Sequence, residues 1–287
     1  MRRIFAFLLL VLIGCNPHPS SDKTIISVSI LPQKYFVEKI AGNMVDINVL
    51  VPPGASPELY SLMPSQMQGL ARSAAWLRIG KIGFEEGWLE KIRQSIPDLK
   101  LVDTSARANW ITEEKSGTEE HGHSHGTDPH IWMAPDEVKK IAGETYKALL
   151  TVLPEQKETL TTNYNSFLNE IDKLDDELKS RFGHMSNKKF LIFHPSLTYL
   201  AREYGLEQIP IEVEGKEPSP RYMSSVVELA KKENIKMILI QKEFDQDNAR
   251  QLANEITGKV VQIDPLNENW EQQLREISKK ITGSLNE

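Results

Sequence analysis

Short, largely apolar runs alternate with amphipathic stretches along most of the chain. Ile25–Ile30, Ile47–Val51, Ala75–Ile79 and Leu99–Val102 have strand length, and Phe190–Phe193, Gln208–Val213, Met237–Ile240 and Val260–Ile263 repeat the pattern after residue 185. Runs of this kind read as strands covered on both faces, as in parallel sheets. Gln33–Ala41, Ser65–Ser73 and Phe84–Ile96 carry helical spacing between the first set. Ser196–Tyr204, Ser219–Lys232, Asp245–Thr257 and Asn269–Thr282 do so in the second half. The alternation predicts an α/β fold of two four-stranded lobes.

The middle of the chain differs. Leu160, Tyr164, Phe167, Ile171, Leu174, Leu178 and Phe182 recur at spacings of three and four, with no glycine between Pro154 and Gly183. A helix of that length runs roughly 40 Å at 1.5 Å per residue. Its place between two similar halves predicts a rigid connector, although a two-helix hairpin or a coiled-coil dimerisation element fits the same spacing.

Composition narrows the function. The chain has 287 residues, one cysteine, seven histidines and a formal charge of −6. One cysteine can close no internal disulfide and supply no Cys-rich zinc site, so a metal here must be held by imidazole and carboxylate. An acidic chain lacks the basic footprint that nucleic acids demand. The cysteine itself falls in a telling place. Arg2 and Arg3 precede an apolar run from Ile4 to Ile13, and Leu12-Ile13-Gly14-Cys15 ends it. The run is too short for a membrane span, which takes roughly 20 residues, and reads as a signal peptide. The Leu12–Cys15 segment resembles a bacterial lipobox, which predicts cleavage before Cys15 and a lipid on its thiol. Residues 15–23 then form a flexible tether.

Four of the seven histidines lie in the tract His121-Gly122-His123-Ser124-His125-Gly126-Thr127-Asp128-Pro129-His130, preceded by Glu113, Glu114, Glu119 and Glu120. So polar a tract cannot pack as core, and alternating imidazoles can collect a borderline-soft cation. His130 belongs to a separate unit, Asp128-Pro129-His130-Ile131-Trp132-Met133, whose apolar end predicts a packed segment. His194 and Asp264 each follow an apolar run directly and precede a proline. That places them beyond the carboxyl ends of strands, where α/β sheets bind ligands. Glu58 lies in a loop after the second strand.

Taken in order, Gly54-Ala55-Ser56-Pro57-Glu58-Leu59-Tyr60 with Pro64-Ser65, Asp128-Pro129-His130-Ile131-Trp132, Phe193-His194 and Ile263-Asp264-Pro265-Leu266 resemble the signatures of periplasmic solute-binding proteins of zinc and manganese ABC transporters. Glu214-Gly215-Lys216-Glu217-Pro218-Ser219-Pro220 is similar to a further segment of that family. The resemblance spans essentially the whole chain after the signal. It implies two α/β lobes joined by one long helix, a metal in the cleft, and delivery to an ABC permease in the cytoplasmic membrane, with no enzymatic activity. The His-rich tract favours Zn²⁺ as the transported ion, with Mn²⁺ or iron as the alternative. By position, His130, His194 and Asp264 match the second, third and fourth ligands of the zinc pattern. The first departs from it, because Pro57-Glu58-Leu59 stands where the family usually has Pro-His. Glu58 either joins the set or leaves an open place for water or a tract histidine.

The expected organisation is a signal peptide at 1–14, the tether at 15–23, an N-terminal lobe at 24–153 with a His-rich loop at about 113–127, a connecting helix at 154–185 and a C-terminal lobe at 186–287. The protein is expected to be an exported, lipid-anchored monomer, with His121, His123 and His125 as an accessory collecting loop. Two readings of other classes remain beside this one. A zinc hydrolase would share the ligand types but lacks a His-Glu-x-x-His helix. A surface adhesion lipoprotein would use metal only structurally.

Overall fold

The computed structural model describes residues 23–112, 126–212, 218–244 and 246–285. Cys15, the tract histidines His121, His123 and His125, and the Glu214–Glu217 segment lie outside the described residues. The first half contains β1 (Thr24–Val28), α1 (Leu31–Ala41), β2 (Val45–Val49), α2 (Pro64–Ala71), β3 (Ala75–Arg78), α3 (Gly83–Ser95) and β4 (Lys100–Asp103). A short 3-10 turn at Ile131–Met133 leads into α4 (Pro135–Val152), and a second at Pro154–Gln156 leads into the long α5 (Lys157–Gly183). The second half follows with β5 (Lys189–Ile192), α6 (Thr198–Tyr204), β6 (Glu207–Pro210), α7 (Pro220–Lys232), β7 (Met237–Gln241), α8 (Asp247–Glu255), β8 (Lys259–Ile263) and α9 (Trp270–Leu285).

Each half forms one four-stranded parallel sheet, ordered β2-β1-β3-β4 and β6-β5-β7-β8. The two orders are the same arrangement used twice. All eight expected strands are present; the central β1, β3, β5 and β7 are largely buried as parallel strands covered on both faces require, while the edge strands β2, β4, β6 and β8 stay partly exposed. The second sheet shows the two-residue period directly. Phe190, Ile192, Met237 and Leu239 pack into the core shared with the first half, whereas Leu191, Ile238 and Ile240 pack outward under α7 and α8.

The helix α4 went unassigned in the sequence pattern. It starts with Pro135 in its first turn and buries Val138, Ile141, Ala142, Thr145, Ala148 and Leu149 along one stripe. It forms a hairpin with α5, with Tyr146 stacked on Tyr164 at 4.5 Å and bonded to Thr161 at 2.7 Å. The connector is therefore one unbroken helix that joins the halves, and the hairpin is made with α4, which precedes it. Leu160, Phe167, Ile171, Leu174, Leu178 and Phe182 are buried along α5 as their spacing predicts. The helix packs against α1 and α4 from one half and α9 and α6 from the other. Trp270 of α9 meets Phe36 of α1 edge-on at 5.4 Å. One continuous core thus runs from the first sheet through α5 to the near face of the second sheet.

Candidate metal centre

The carboxyl ends of the strands carry the chemistry. Past β5, the amide of Phe193 donates to the Leu239 carbonyl, and the Gln241 side chain donates to the His194 carbonyl at 2.6 Å and to Ser196 Oγ at 2.6 Å. The backbone of His194 is thereby clamped at the sheet edge. The sequence pattern carried β6 to Val213, but the strand ends at Pro210, and the chain continues beside β5 through the Ile211 and Glu212 amides. That continuation brings Glu212 to His194, with Nδ1 3.1 Å from Oε2.

His130 is held by its own turn. Asp128 Oδ1 accepts from the His130 amide at 2.9 Å and lies 2.8 Å from Nδ1. Asp128 is itself fixed from the other half, because Tyr199 of α6 donates its hydroxyl to the Asp128 carbonyl at 2.7 Å. Thr112 and Thr127 form an antiparallel bridge just before Asp128, so both ends of the His-rich loop are pinned beside this turn. Trp132 donates its indole N–H to the Pro265 carbonyl at 3.0 Å and packs against His130.

Glu58 reaches the same place from the loop after β2. That loop sits on the start of α3, where the Phe84 amide donates to the Pro57 carbonyl at 3.3 Å. A Cβ at Gly83 would lie 2.3 Å from the Glu58 carbonyl oxygen, so no other residue fits there without moving the loop. Glu85, in the first turn of α3, ties that turn to the ends of β1 and β3 by accepting from Ser29 Oγ and from the amides of Ile79 and Gly80. Burial pushes Glu85 up to about 7 despite those three donors.

Glu58, His130 and His194 each offer a ligand atom within 4.8 Å of the other two. The two imidazole Nε2 atoms face each other at 3.4 Å, and Glu58 Oε1 lies 3.9 Å from His130 Nε2. Each Nδ1 faces a carboxylate, which fixes the tautomer with Nε2 bare and pointing inward, as in carboxylate–histidine–metal arrangements. Burial opposes a charge on His130, yet Asp128, Glu58 and Glu212 together hold its pKa above the ordinary histidine value. Burial likewise works against the Asp128 charge, but His130 outweighs it and draws Asp128 down. Glu58 Oε1 is buried with no hydrogen-bond partner among the described residues. Leaving such an atom unpaired costs about 1–3 kcal/mol, a cost that a bound cation removes.

The three groups line a cavity with Trp132, Gln241, Glu243 and Phe244, holding about 30 Å³ of space. That is room for an ion with one or two waters rather than for an organic solute. Asp264 is not within the 4.8 Å group. Its Oδ2 is taken by Lys242 and by Asn267, while Oδ1 is buried and unpartnered among the described residues. Nothing in the sequence motifs marks Asp128 as a partner of His130, and Glu212 and Glu243 fall in none of the candidate ligand positions. Glu243 follows β7 by two residues, so the strand-end argument that found His194 and Asp264 reaches it as well, whereas Glu212 lay inside the strand expected to run to Val213.

A molecule of two α/β lobes that turns imidazole and carboxylate groups into an ion-sized cavity between them is built as a metal-binding solute receptor. The model of the family described as zinc-uptake complex component A, periplasmic, matches residues 26–283. The chain belongs to that family, whose members are substrate-binding proteins of ABC transporters rather than enzymes. Among solved structures, a crystal structure of ZnuA is 36% identical with a TM-score of 0.86, over 92% of this chain and 100% of that one. A zinc-bound deletion mutant of ZnuA is 36% identical with a TM-score of 0.85, over 92% and 98%. The zinc-binding lipoprotein AdcA of Streptococcus pneumoniae (strain ATCC BAA-255 / R6) is 26% identical over 90% of this chain. It has a longer chain, of which the match covers 53%, so this chain spans about half the length of such curated relatives.

Proposed function

We propose that this protein captures Zn²⁺ outside the cytoplasm with high affinity and delivers it to an ABC permease for import. The observation that carries the reading is the pair of bare, inward-facing Nε2 atoms 3.4 Å apart beside an unpartnered Glu58 oxygen. Two nitrogens and a carboxylate suit zinc, and a zinc-bound relative of the same fold supports that choice over manganese or iron. His130 and His194 must be neutral to bind, so affinity falls as pH drops. With the His130 pKa raised, that fall begins at higher pH than an unperturbed histidine would set.

In this reading Cys15 anchors the protein to the membrane as a monomer on its 15–23 tether. His121, His123 and His125 collect metal beside the cleft, a role supported by the Thr112–Thr127 bridge that returns their loop next to Asp128. The 24–153 and 186–287 lobes move only slightly about α5, because a continuous core joins them. Competitive zinc titration of the full chain, paired with growth of the host under chelation, tests the proposal. Tight binding of zinc and a zinc-reversible growth defect on gene deletion are expected. Zinc binding no tighter than that of manganese, with normal growth, would sink it.

A further inference from the structure

Glu58, His130 and His194 give a divalent cargo three protein ligands, one short of a closed tetrahedral set, and two carboxylate oxygens nearby are buried without partners among the described residues, Glu243 Oε1 and Asp264 Oδ1. They stand in different situations. Glu243 lines the cavity with Glu58, His130 and His194. Asp264 already has a cation, the Lys242 ammonium on its Oδ2, and an Asn267 amide besides. To coordinate an ion, Asp264 must surrender or share that pair, whereas Glu243 Oε1 has no described contact to break.

Resting on the zinc reading above, we propose that Glu243 supplies the second carboxylate ligand, so that the ion is held by Glu58, His130, His194 and Glu243, while Asp264 stays with Lys242. Glu243 is not within the 4.8 Å group of the other three, and rotation of its side chain into the cavity is the motion that loading requires. Two carboxylates balance the two positive charges of the ion, and two nitrogens with two oxygens complete a tetrahedral set. The Lys242–Asp264 pair remains neutral beside it. The ligand set then draws on β5 and β7, the two central strands of the second sheet, together with the Glu58 loop and the His130 turn.

The test uses the full chain, with zinc affinity measured by chelator competition and the visible spectrum of the Co²⁺-loaded protein as a coordination readout. E243Q is expected to weaken zinc by at least about tenfold and to shift the Co²⁺ bands, as loss of a metal-site group does. D264N is expected to keep the wild-type spectrum and lie within about threefold of wild-type affinity. Wild-type affinity in E243Q overturns the proposal, as does weakened binding with an unchanged Co²⁺ spectrum, which would mark a distant charge effect. If E243Q does not fold, E243D keeps the charge and shortens the reach, and an unchanged Co²⁺ spectrum there overturns it equally. A wild-type chain that binds no zinc would instead defeat the zinc reading itself.

Discussion

Among the described residues, metal-ligand side chains gather in two places, and only one has the character of a site. Asp136, Asp175 and Glu203 bring carboxylate oxygens as close together as Glu58, His130 and His194 do. In the acidic cluster the chain supplies the partners. Lys139 lies 3.3 Å from Asp136 and 2.7 Å from Asp172, Lys179 lies 2.7 Å from Asp175, and the Tyr204 hydroxyl donates to Asp175 at 3.0 Å. Glu203 accepts the Asp136 amide at the start of α4. At the histidine cluster the outer nitrogens are committed and the inner atoms are bare. Proximity is therefore not what distinguishes a binding site. Ligand atoms left unpaired inside a shell of satisfied ones do so, because their desolvation has been met and only a cation completes them.

The comparison breaks most visibly by removing an imidazole. His194→Ala should lower zinc affinity by two orders of magnitude or more, roughly the loss expected for a first ligand beyond the tenfold to hundredfold of an outer partner. Asp175→Asn should leave zinc titration unchanged, and a comparable loss there would mean that the acidic cluster holds the cargo. A smaller effect probes the shell. Asp128→Asn or Glu212→Gln should weaken zinc by about 10–100-fold while leaving the ligands in place. With Asp128 neutralised, His130 also loses the charge that chiefly raises its pKa, so the fall of affinity on acidification should begin at lower pH.

The smallest effect belongs to the acidic cluster, and it concerns stability alone. Burial, with the Asp136 charge behind it, pushes Glu203 up to about 7 from an ordinary value near 4.5. Between those values the folded chain keeps a proton that the unfolded chain has released. Stability therefore falls as pH rises from about 4.5 to about 7 and is flat in this term above that. Buried Glu85 adds a second contribution of the same sign. Denaturant unfolding of Glu203→Gln across that window should give a shallower slope than wild type with zinc affinity intact. An unaltered slope would remove Glu203 from the account.

Much of this was legible in the sequence, for physical reasons that differ by element. The central strands announce themselves because both their faces are covered, and the partly exposed edge strands still carry enough apolar positions to be read as runs. The stripe along α5 was equally plain, since Leu160 to Phe182 keep one face to the core. The helix α4 was overlooked beside it, although Val138, Ile141, Ala142, Thr145 and Leu149 keep a helical period too. Glu58, His130 and His194 were found through ordered motifs. Glu212 escaped because the strand was expected to run past it to Val213, and Glu243 because a single glutamate beyond a strand looks like any solvated carboxylate until the neighbouring strands are laid side by side. The state of Asp264 could not be read locally either, since its Lys242 partner comes from the adjacent strand end.

The close approach at Gly83 also bears on how such a receptor can be redesigned. Because the Glu58 carbonyl fills the volume a side chain would need, the loop and the first turn of α3 form one inseparable module. A graft meant to retune the cargo by exchanging residues 54–60 alone would set a foreign backbone against a surface shaped for the native one. The unit of transplantation is the loop together with residues 82–84, and a library built on that pair would vary the ligand while keeping its seat.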